Sequence, residues 1–594
     1  MQHPIFVLLS SEEWRKLIIL VALTMLLAVV ELAGIGGVGL FIQLASDPDS
    51  LANIPYAKDV FEHFEIVEKT DRLLATLAAL LAVILLRNVV AMVALWWRLR
   101  FLHYTRRDLA TRLMRSYLSQ PYSFFLRHNS AMMSKTILVE ASELVTQYIF
   151  SWIVLATDGL MLIATLGFLF YLDPVVTLVS CAVFGSLAVS VVLGLRSRLR
   201  SLGHQHRALN ERLFRVTNEA MAGIKEVKVL GREESFIVDF NKAASSFARA
   251  SLRVMLFTYG PRFFLEIISV VGFFVFVVVA LQRTENLSSV AGLIGAFGFA
   301  VYRILPVAHN LVAAVGGLNF NRAIVQAMVD AISATKECQL TKMVKKSTMR
   351  ETVELRDVSF RYENTEVDVL KNVSLKIMCN ESIGIVGSSG AGKSTLVDIL
   401  IGLLSPSGGD VAVDGRPIHG DEMSAWQRNV GYVPQAIHLL DDTVRRNIAI
   451  GLASEDIDDD RIEAAIDSAQ LREFIASLPD GLDTIIGERG TRLSGGQRQR
   501  IGIARALYHQ ASVLVLDEAT SALDNKTEVA VRQSIERLKG KLTLIVIAHR
   551  LTTVRACDRI IVLDGGQIVA EGDYATLEKE NEHFRALVYA DVEA

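Results

Sequence analysis

Residues 387–395 read GSSGAGKST and follow directly on the strand-like run SIGIV at 382–386. The pattern is G-x-x-x-x-G-K-[ST] between a strand and a helix, the sequence form of a phosphate-binding loop. Gly387, Gly390 and Gly392 let backbone N–H groups close around phosphate oxygens, with Ser388, Ser389 and Ala391 between them. The helix that opens at Lys393 adds positive potential at its N-terminus. Lys393 is placed to reach the β- and γ-phosphates of a nucleotide, Ser394 to ligate Mg²⁺, and Thr395 continues the helix start. From residue 351 onward, short β-rich runs alternate with helical patterns, and 513–516 and 544–547 read as buried parallel strands. That alternation predicts an α/β P-loop domain over residues 351–594.

Two further runs sharpen the reading. LSGGQ stands at 493–497, and LDEAT follows at 516–520. Asp517 ends the apolar run 513–516, which sets a carboxylate at the C-terminal edge of a strand, where it can hold Mg²⁺ directly or through water. Glu518 comes next and is the candidate to orient or deprotonate an attacking water.

Taken together, 387–395, 493–497, 516–520 and His549 resemble the nucleotide-binding domain of an ABC transporter. The resemblance implies the remaining roles. Tyr362 would stack on adenine. Gln435, in YVPQ at 432–435, would reach Mg²⁺. Ser494, Gly495, Gly496 and Gln497 would meet the γ-phosphate of ATP held by a second subunit. Residues 521–524 would cross a dimer interface, 487–490 would lie near the membrane domain, and His549 would contact the γ-phosphate. Glu518, His549 and Gln435 are thus the expected catalytic set, and Ser394, Gln435 and Asp517 the expected Mg²⁺ set. Each chain carries one such domain, so a homodimer with two equivalent ATP sites is expected, with pairing to a similar chain left open.

The other half of the chain differs in kind. Of 594 residues, 51% are hydrophobic, and the excess lies before about residue 317. Six apolar runs, at 17–44, 73–97, 144–172, 175–195, 263–281 and 290–317, are each long enough to cross a bilayer. Residues 98–129 hold seven arginines against the single acid Asp108, and 196–215 hold six against Glu211. The loop 46–72 holds seven acids and three bases. The arginine-rich stretches are therefore expected in the cytoplasm, with both termini, and the acidic loop outside. The two basic stretches are rich in helix formers and predict helices that continue well past the membrane, turning at 119–125 around Pro121 and at 223–234.

Ala57, Val60, Phe61 and Phe64 share an i, i+3, i+4, i+7 face after Pro55, which predicts a short amphipathic helix at the outer surface. Residues 335–350 are polar and read as a linker between a transmembrane domain at 1–334 and the ATPase domain at 351–594. Cys181, Cys338, Cys379 and Cys557 show no metal-like spacing, and the first apolar run is too long for a removable signal peptide. A net charge of −3 gives no support to nucleic-acid binding. Six membrane helices ahead of the ATPase domain resemble an exporter-type half-transporter. The expected fold is a six-helix all-α transmembrane domain followed by an α/β nucleotide-binding domain, in a multi-pass cell-membrane protein.

Charges inside membrane helices are costly and mark candidate sites. Arg87, Arg303 and Arg262 lie in or at the inner ends of the second, sixth and fifth apolar runs. Arg87 and Arg303 are about 20–21 Å from the outer ends of their helices, and Arg262 about 29 Å. Glu31, Asp158 and Glu266 are the acidic counterparts. One reading is ion pairing, such as Glu31 with Arg87. The other is a set of guanidinium groups for an anionic headgroup, since arginine offers a fixed fork of donors to phosphate. Segments 41–47 (FIQLASD), 260–266 (GPRFFLE) and 301–306 (VYRILP) resemble lipid-linked oligosaccharide flippases of the PglK type. That resemblance implies membrane lipids as surroundings and an anionic polyprenyl-pyrophosphate glycan as cargo, moved from the cytoplasmic to the external leaflet. Export of a drug, a lipid A-like lipid or a peptide by the same architecture is the alternative.

Overall fold

The computed structural model describes residues 11–46, 63, 68–283, 287–334, 349–363, 365–487, 490, 493–517, 532–533, 535–548 and 551–593. The expected outer helix around 57–64, the linker 335–348 and residues 518–531 with 549–550 lie outside that set, apart from His63. Two compact units emerge, residues 1–120 with 128–339, and 121–127 with 340–594. This departs from a simple cut by position, because the turn at 121–127 belongs to the second unit.

The first unit is all-helical. Its long helices are α1 (Ser11–Ser46), α2 (Lys69–Leu118), α3 (Phe150–Leu172), α4 (Pro174–Ala222), α5 (Glu233–Tyr259), α6 (Pro261–Arg283), α7 (Leu287–Phe320) and α8 (Arg322–Ala334). Among the described residues, five stretches are long and apolar enough to cross a membrane, at Glu12–Ser46, Thr70–Leu118, Ser130–Leu172, Glu233–Val278 and Ala291–Phe320. The remaining expected run, 175–195, forms the first half of α4. At 50 and 49 residues, α2 and α4 are each about 75 Å long, more than twice the hydrocarbon thickness of a bilayer. Large apolar side chains such as Leu85, Val89 and Met92 stay exposed along α2, as a lipid-facing surface requires.

Local chemistry sets the breaks. Asp173 separates α3 from α4, its carboxylate accepting from the Val175 N–H at 3.0 Å, and Pro174 opens α4 where its missing N–H costs nothing. The stretch after α4 is a short helix, Ile224–Leu230, closed by Gly231 at φ 58°. Only glycine takes that left-handed conformation without strain. Close helix contact also rests on glycine. A methyl group at Gly39 of α1 would lie 3.3 Å from the Gly292 carbonyl of α7, and one at Gly292 would lie 3.2 Å from the Gly39 carbonyl.

Between α2 and α3 the chain runs through Ser130–Lys135 and two π-helical turns, Thr136–Glu140 and Leu144–Ile149. They frame a buried charge cluster. Lys135 and Arg207 lie 3.1 and 3.4 Å from Glu140 Oε1, and Arg207 lies 3.4 Å from Glu211 Oε1.

The second unit is α/β. A six-stranded sheet has the order β10-β9-β3-β8-β7-β6, and a four-stranded antiparallel sheet the order β2-β1-β4-β5. The strands are β1 (Thr352–Phe360), β2 (Leu370–Met378), β3 (Ser382–Gly387), β4 (Gly408–Val413), β5 (Arg416–Pro417), β6 (Val430–Val433), β7 (Val513–Asp517), β8 (Thr543–Ile547), β9 (Arg559–Asp564) and β10 (Gln567–Gly572). β6, β7, β8, β3 and β9 are parallel neighbours. Their continuous Val, Ile and Leu follow from burial on both faces. Helix α9 (Lys393–Leu400) leaves the end of β3, and α10 (Gly495–Tyr508) precedes β7.

Candidate functional site

The loop after β3 is shaped by crowding that only glycine tolerates. A Cβ at Gly387 would fall 2.1 Å from the Leu563 carbonyl on β9, and one at Gly392, where φ is 98°, would fall 3.1 Å from the Val369 carbonyl and 3.0 Å from Leu370. These contacts press the backbone into a cradle at the N-terminus of α9, where first-turn N–H groups lack a partner within the helix and favour an anion. Lys393 is almost fully buried there, and its ammonium donates to the carbonyls of Gly387 and Ser388, both at 2.9 Å. Ser388 is anchored by a bond from its hydroxyl to Asp564 at 3.2 Å.

Tyr362 stands beside this cradle, with its hydroxyl 3.1 Å from that of Thr395 and its ring edge-on to Phe360. The adjacent Glu363 pairs with Arg127 of the 121–127 segment. Asp517 sits at the end of β7 and accepts a hydrogen bond from the Tyr432 hydroxyl at 3.1 Å. Burial, with the Asp517 charge added, pushes the Asp398 carboxyl of α9 up to about 6. The Tyr432 hydroxyl is pushed far above the usual phenol range by burial and by Asp517. Gln435 is exposed just past β6. The Asp517 and Asp398 carboxylates, with the Ser394 hydroxyl and the Gln435 amide oxygen, are a hard-oxygen donor set of the kind Mg²⁺ takes.

Ser494 caps α10 in a reciprocal box. Its hydroxyl accepts from the Gln497 N–H at 3.3 Å, and the Gln497 side chain accepts from the Ser494 N–H at 2.8 Å. Arg498 holds the preceding turn through the Leu493 carbonyl at 3.0 Å. No hydrogen bond or ion pair among the described residues joins this helix start to residues 387–395. Glu518, His549 and residues 521–524 lie outside the described residues, as do 488 and 489. Sequence reasoning did not single out Asp398 or Tyr432. Their spacing from the loop is readable, but the proximity of Asp398 to Asp517 depends on packing α9 against β7.

In the helical unit, two of the three candidate arginines come together. Glu31 of α1 is 2% exposed, and Arg87 of α2 and Arg303 of α7 approach it at 2.7 and 2.9 Å, each through Nε. The ion-pair reading thus describes the observed state, with Arg303 as a second partner. One carboxylate faces two guanidinium groups, so the cluster carries net positive charge. Their terminal nitrogens point elsewhere: Arg87 donates to Asn88 at 3.0 Å, and Arg303 lies over the Phe299 ring at 5.2 Å. Arg262 is exposed at the start of α6, and no described contact joins it to the other two, so the three do not form one ring within this chain. Asp158 of α3 is held by Asn310 of α7 at 2.9 Å, and Glu266 is exposed.

Residues 370–521 match the ABC transporter family, and residues 17–298 match the ABC transporter transmembrane region. The chain is 32% identical to the ATP-dependent lipid A-core flippase of Burkholderia orbicola (strain AU 1054) over 455 residues, 77% of this chain and 76% of that one. It is 32% identical to the protein of that name from Bordetella pertussis (strain Tohama I) over 482 residues, covering 81% and 77%. The solved structure of a bacterial Atm1-family ABC exporter with ATP bound aligns with a TM-score of 0.79 at 21% identity, over 97% of this chain and 100% of that one. The chain belongs to the ABC transporter family, as an exporter-type protein that joins a helical transmembrane domain to an ATPase domain of the α/β nucleotide-binding fold.

Proposed function

We propose that this protein is an ATP-driven flippase for a multiply acylated lipid with a phosphate-bearing sugar head, of the lipid A-like class. The observation that carries the reading is the 32% identity, over 77% of the chain, to proteins named ATP-dependent lipid A-core flippases. Those names favour a lipid A-like cargo over the polyprenyl-pyrophosphate glycan that stands first on sequence grounds. The Arg87–Glu31–Arg303 cluster supports either, because both lipids carry phosphate and the cluster keeps net positive charge with terminal guanidinium nitrogens turned away from Glu31. Arg262 would enter from the inner edge of the membrane.

In this reading two chains form a homodimer in the cell membrane with both termini cytoplasmic. Residues 1–334 act as the transmembrane domain, 335–350 as linker and 351–594 as the ATPase domain. Lys393 and the N–H groups of 387–395 hold the phosphates, and Tyr362 takes the adenine. Ser494, Gly495, Gly496 and Gln497 of the other chain close the site. Ser394, Gln435 and Asp517 would hold Mg²⁺, which neutralises developing phosphate charge when bound. Glu518 orients water for attack, and His549 and Gln435 position the γ-phosphate end. Binding of Lys393 to phosphate would release its bonds to Gly387 and Ser388, so nucleotide exchange and loop closure are linked.

The test is ATPase activity in detergent–lipid micelles. A lipid A-type lipid should stimulate turnover more than a polyprenyl-pyrophosphate sugar or a hydrophobic drug, and Glu518→Gln should abolish turnover while ATP still binds. Stimulation by the drug alone would place the protein among drug exporters. Steady hydrolysis by E518Q at near wild-type rate would sink the catalytic assignment.

A further inference from the structure

The apolar run of α4 ends at Leu195, and the helix then carries Arg196, Arg200 and His204 at i, i+4 and i+8. That spacing places them on one face, with Leu193 a turn nearer the membrane. Together with Ser197 and Ser201 they line an open groove of about 490 Å³. All six side chains are exposed. Among the described residues, none of the two arginines, the histidine or the two serines has an ion pair or a hydrogen-bonded side-chain partner. Residues 193–207 contain no acid. Three other arginines of the helical unit are held by carboxylates. Arg207, one turn further on, is partly buried and spent on Glu140 and Glu211, and Arg87 and Arg303 are spent on Glu31.

We infer that this groove binds the phosphate headgroup of an anionic phospholipid in the cytoplasmic leaflet, at a site separate from the Glu31 cluster. The position selects a lipid over a soluble anion. Basic residues that immediately follow a membrane run meet the negative surface of the inner leaflet. Leu193, at the membrane end of the lining, offers an apolar surface against which acyl chains can lie. The serine hydroxyls supply donors beside the two guanidinium forks, the arrangement phosphate recognition uses. The consequence is a lipid held against α4 at the level where that helix leaves the bilayer on the cytoplasmic side. The inference uses the membrane orientation given under Proposed function but not the cargo.

The test titrates the purified full-length protein with short-chain phosphatidylglycerol and counts bound lipids by native mass spectrometry, with phosphatidylcholine as the neutral control. Arg196→Gln with Arg200→Gln should weaken phosphatidylglycerol binding by about twenty-fivefold, from roughly a factor of five for each surface arginine. Arg198→Gln removes the same kind of charge from the opposite face, about 200° around the helix, and should change binding less than twofold. Phosphatidylcholine binding should be equal in all three proteins. Equal losses in the double variant and in R198Q would overturn the inference, as would no loss in either. Displacement of the lipid by inorganic phosphate would also overturn it, by making the ligand a free anion. Basal ATPase activity in phosphatidylcholine reports folding, and the single variant R200Q, with an expected fivefold loss, replaces the double variant if that fails to assemble. Lipid counts that depend on Arg196 and Arg200 stand even if no cargo is flipped, so the two readings fail separately.

Discussion

Lys393 shows how one side chain can serve two states. Buried beside its loop, the ammonium is satisfied by the carbonyls of Gly387 and Ser388 at 2.9 Å, and the same reach carries it to a phosphate. Lys393→Ala should lower ATPase turnover at least ~100-fold, the scale for losing one preorganised charge-stabilising donor. Turnover within a few-fold of wild type in a coupled phosphate-release assay would remove Lys393 from the site. Asp398 gives a pH signature. Its carboxyl rises from 3.8 to about 6 through burial and the nearby Asp517. The folded protein therefore holds this proton more tightly than the unfolded chain, and stability is lost as pH rises from about 4 to 6. Asp398→Asn removes that loss. In nucleotide-free protein with a chelator present, the variant should unfold at higher temperature than wild type at pH 7.5, by about 1–2 kcal/mol of stability, and match it near pH 4. A constant offset at both pH values would contradict the cause given for the shift.

Helices and strands carry the second level. Glu31 ties α1 to α2 and α7, and removing its charge leaves two arginines unpaired in the membrane half. Glu31→Gln should cost about 3–5 kcal/mol, read as a large fall in unfolding temperature in detergent. Replacing Glu31, Arg87 and Arg303 together by Met should restore much of that stability, because an apolar trio needs no partners. If lipid-stimulated ATPase activity stays lost in the triple variant, the arginines serve the cargo as well as the fold; if it returns, they are structural alone. Much of this level was legible in the sequence. β3, β7 and β8 read as unbroken apolar runs because both faces are buried, and Pro121, Pro174 and Gly231 punctuate helices by backbone chemistry that needs no partner. The pairing of Glu31 with Arg87 could be read from opposite charges in successive apolar helices. Arg303 as second partner could not, nor Arg207 as a partner of Glu140, because those contacts join segments far apart in the chain. The capping box at Ser494 and Gln497 is local and readable, yet the signature role of the same residues drew the reading toward a ligand.

At the scale of the molecule, the start of α10 and the phosphate loop of one chain share no hydrogen bond or ion pair among the described residues, as expected if each serves a site shared with another chain. Mixing variants tests this. A dimer of one Lys393→Ala chain and one Ser494→Ala chain keeps one intact site, whereas wild type paired with the double variant keeps none. Differentially tagged dimers should therefore show measurable ATPase activity in the first case and almost none in the second; equal activities would place the whole site within one chain. The central claim is that ATP hydrolysis moves a phosphate-headed lipid across the membrane. Its most direct measurement is the transfer of a fluorescent lipid A-type lipid between leaflets of proteoliposomes, followed by accessibility to a membrane-impermeant quencher. The account predicts transfer that requires ATP and vanishes in Glu518→Gln. Transfer at the same rate without ATP, or none with ATP in a preparation that hydrolyses it, would contradict it.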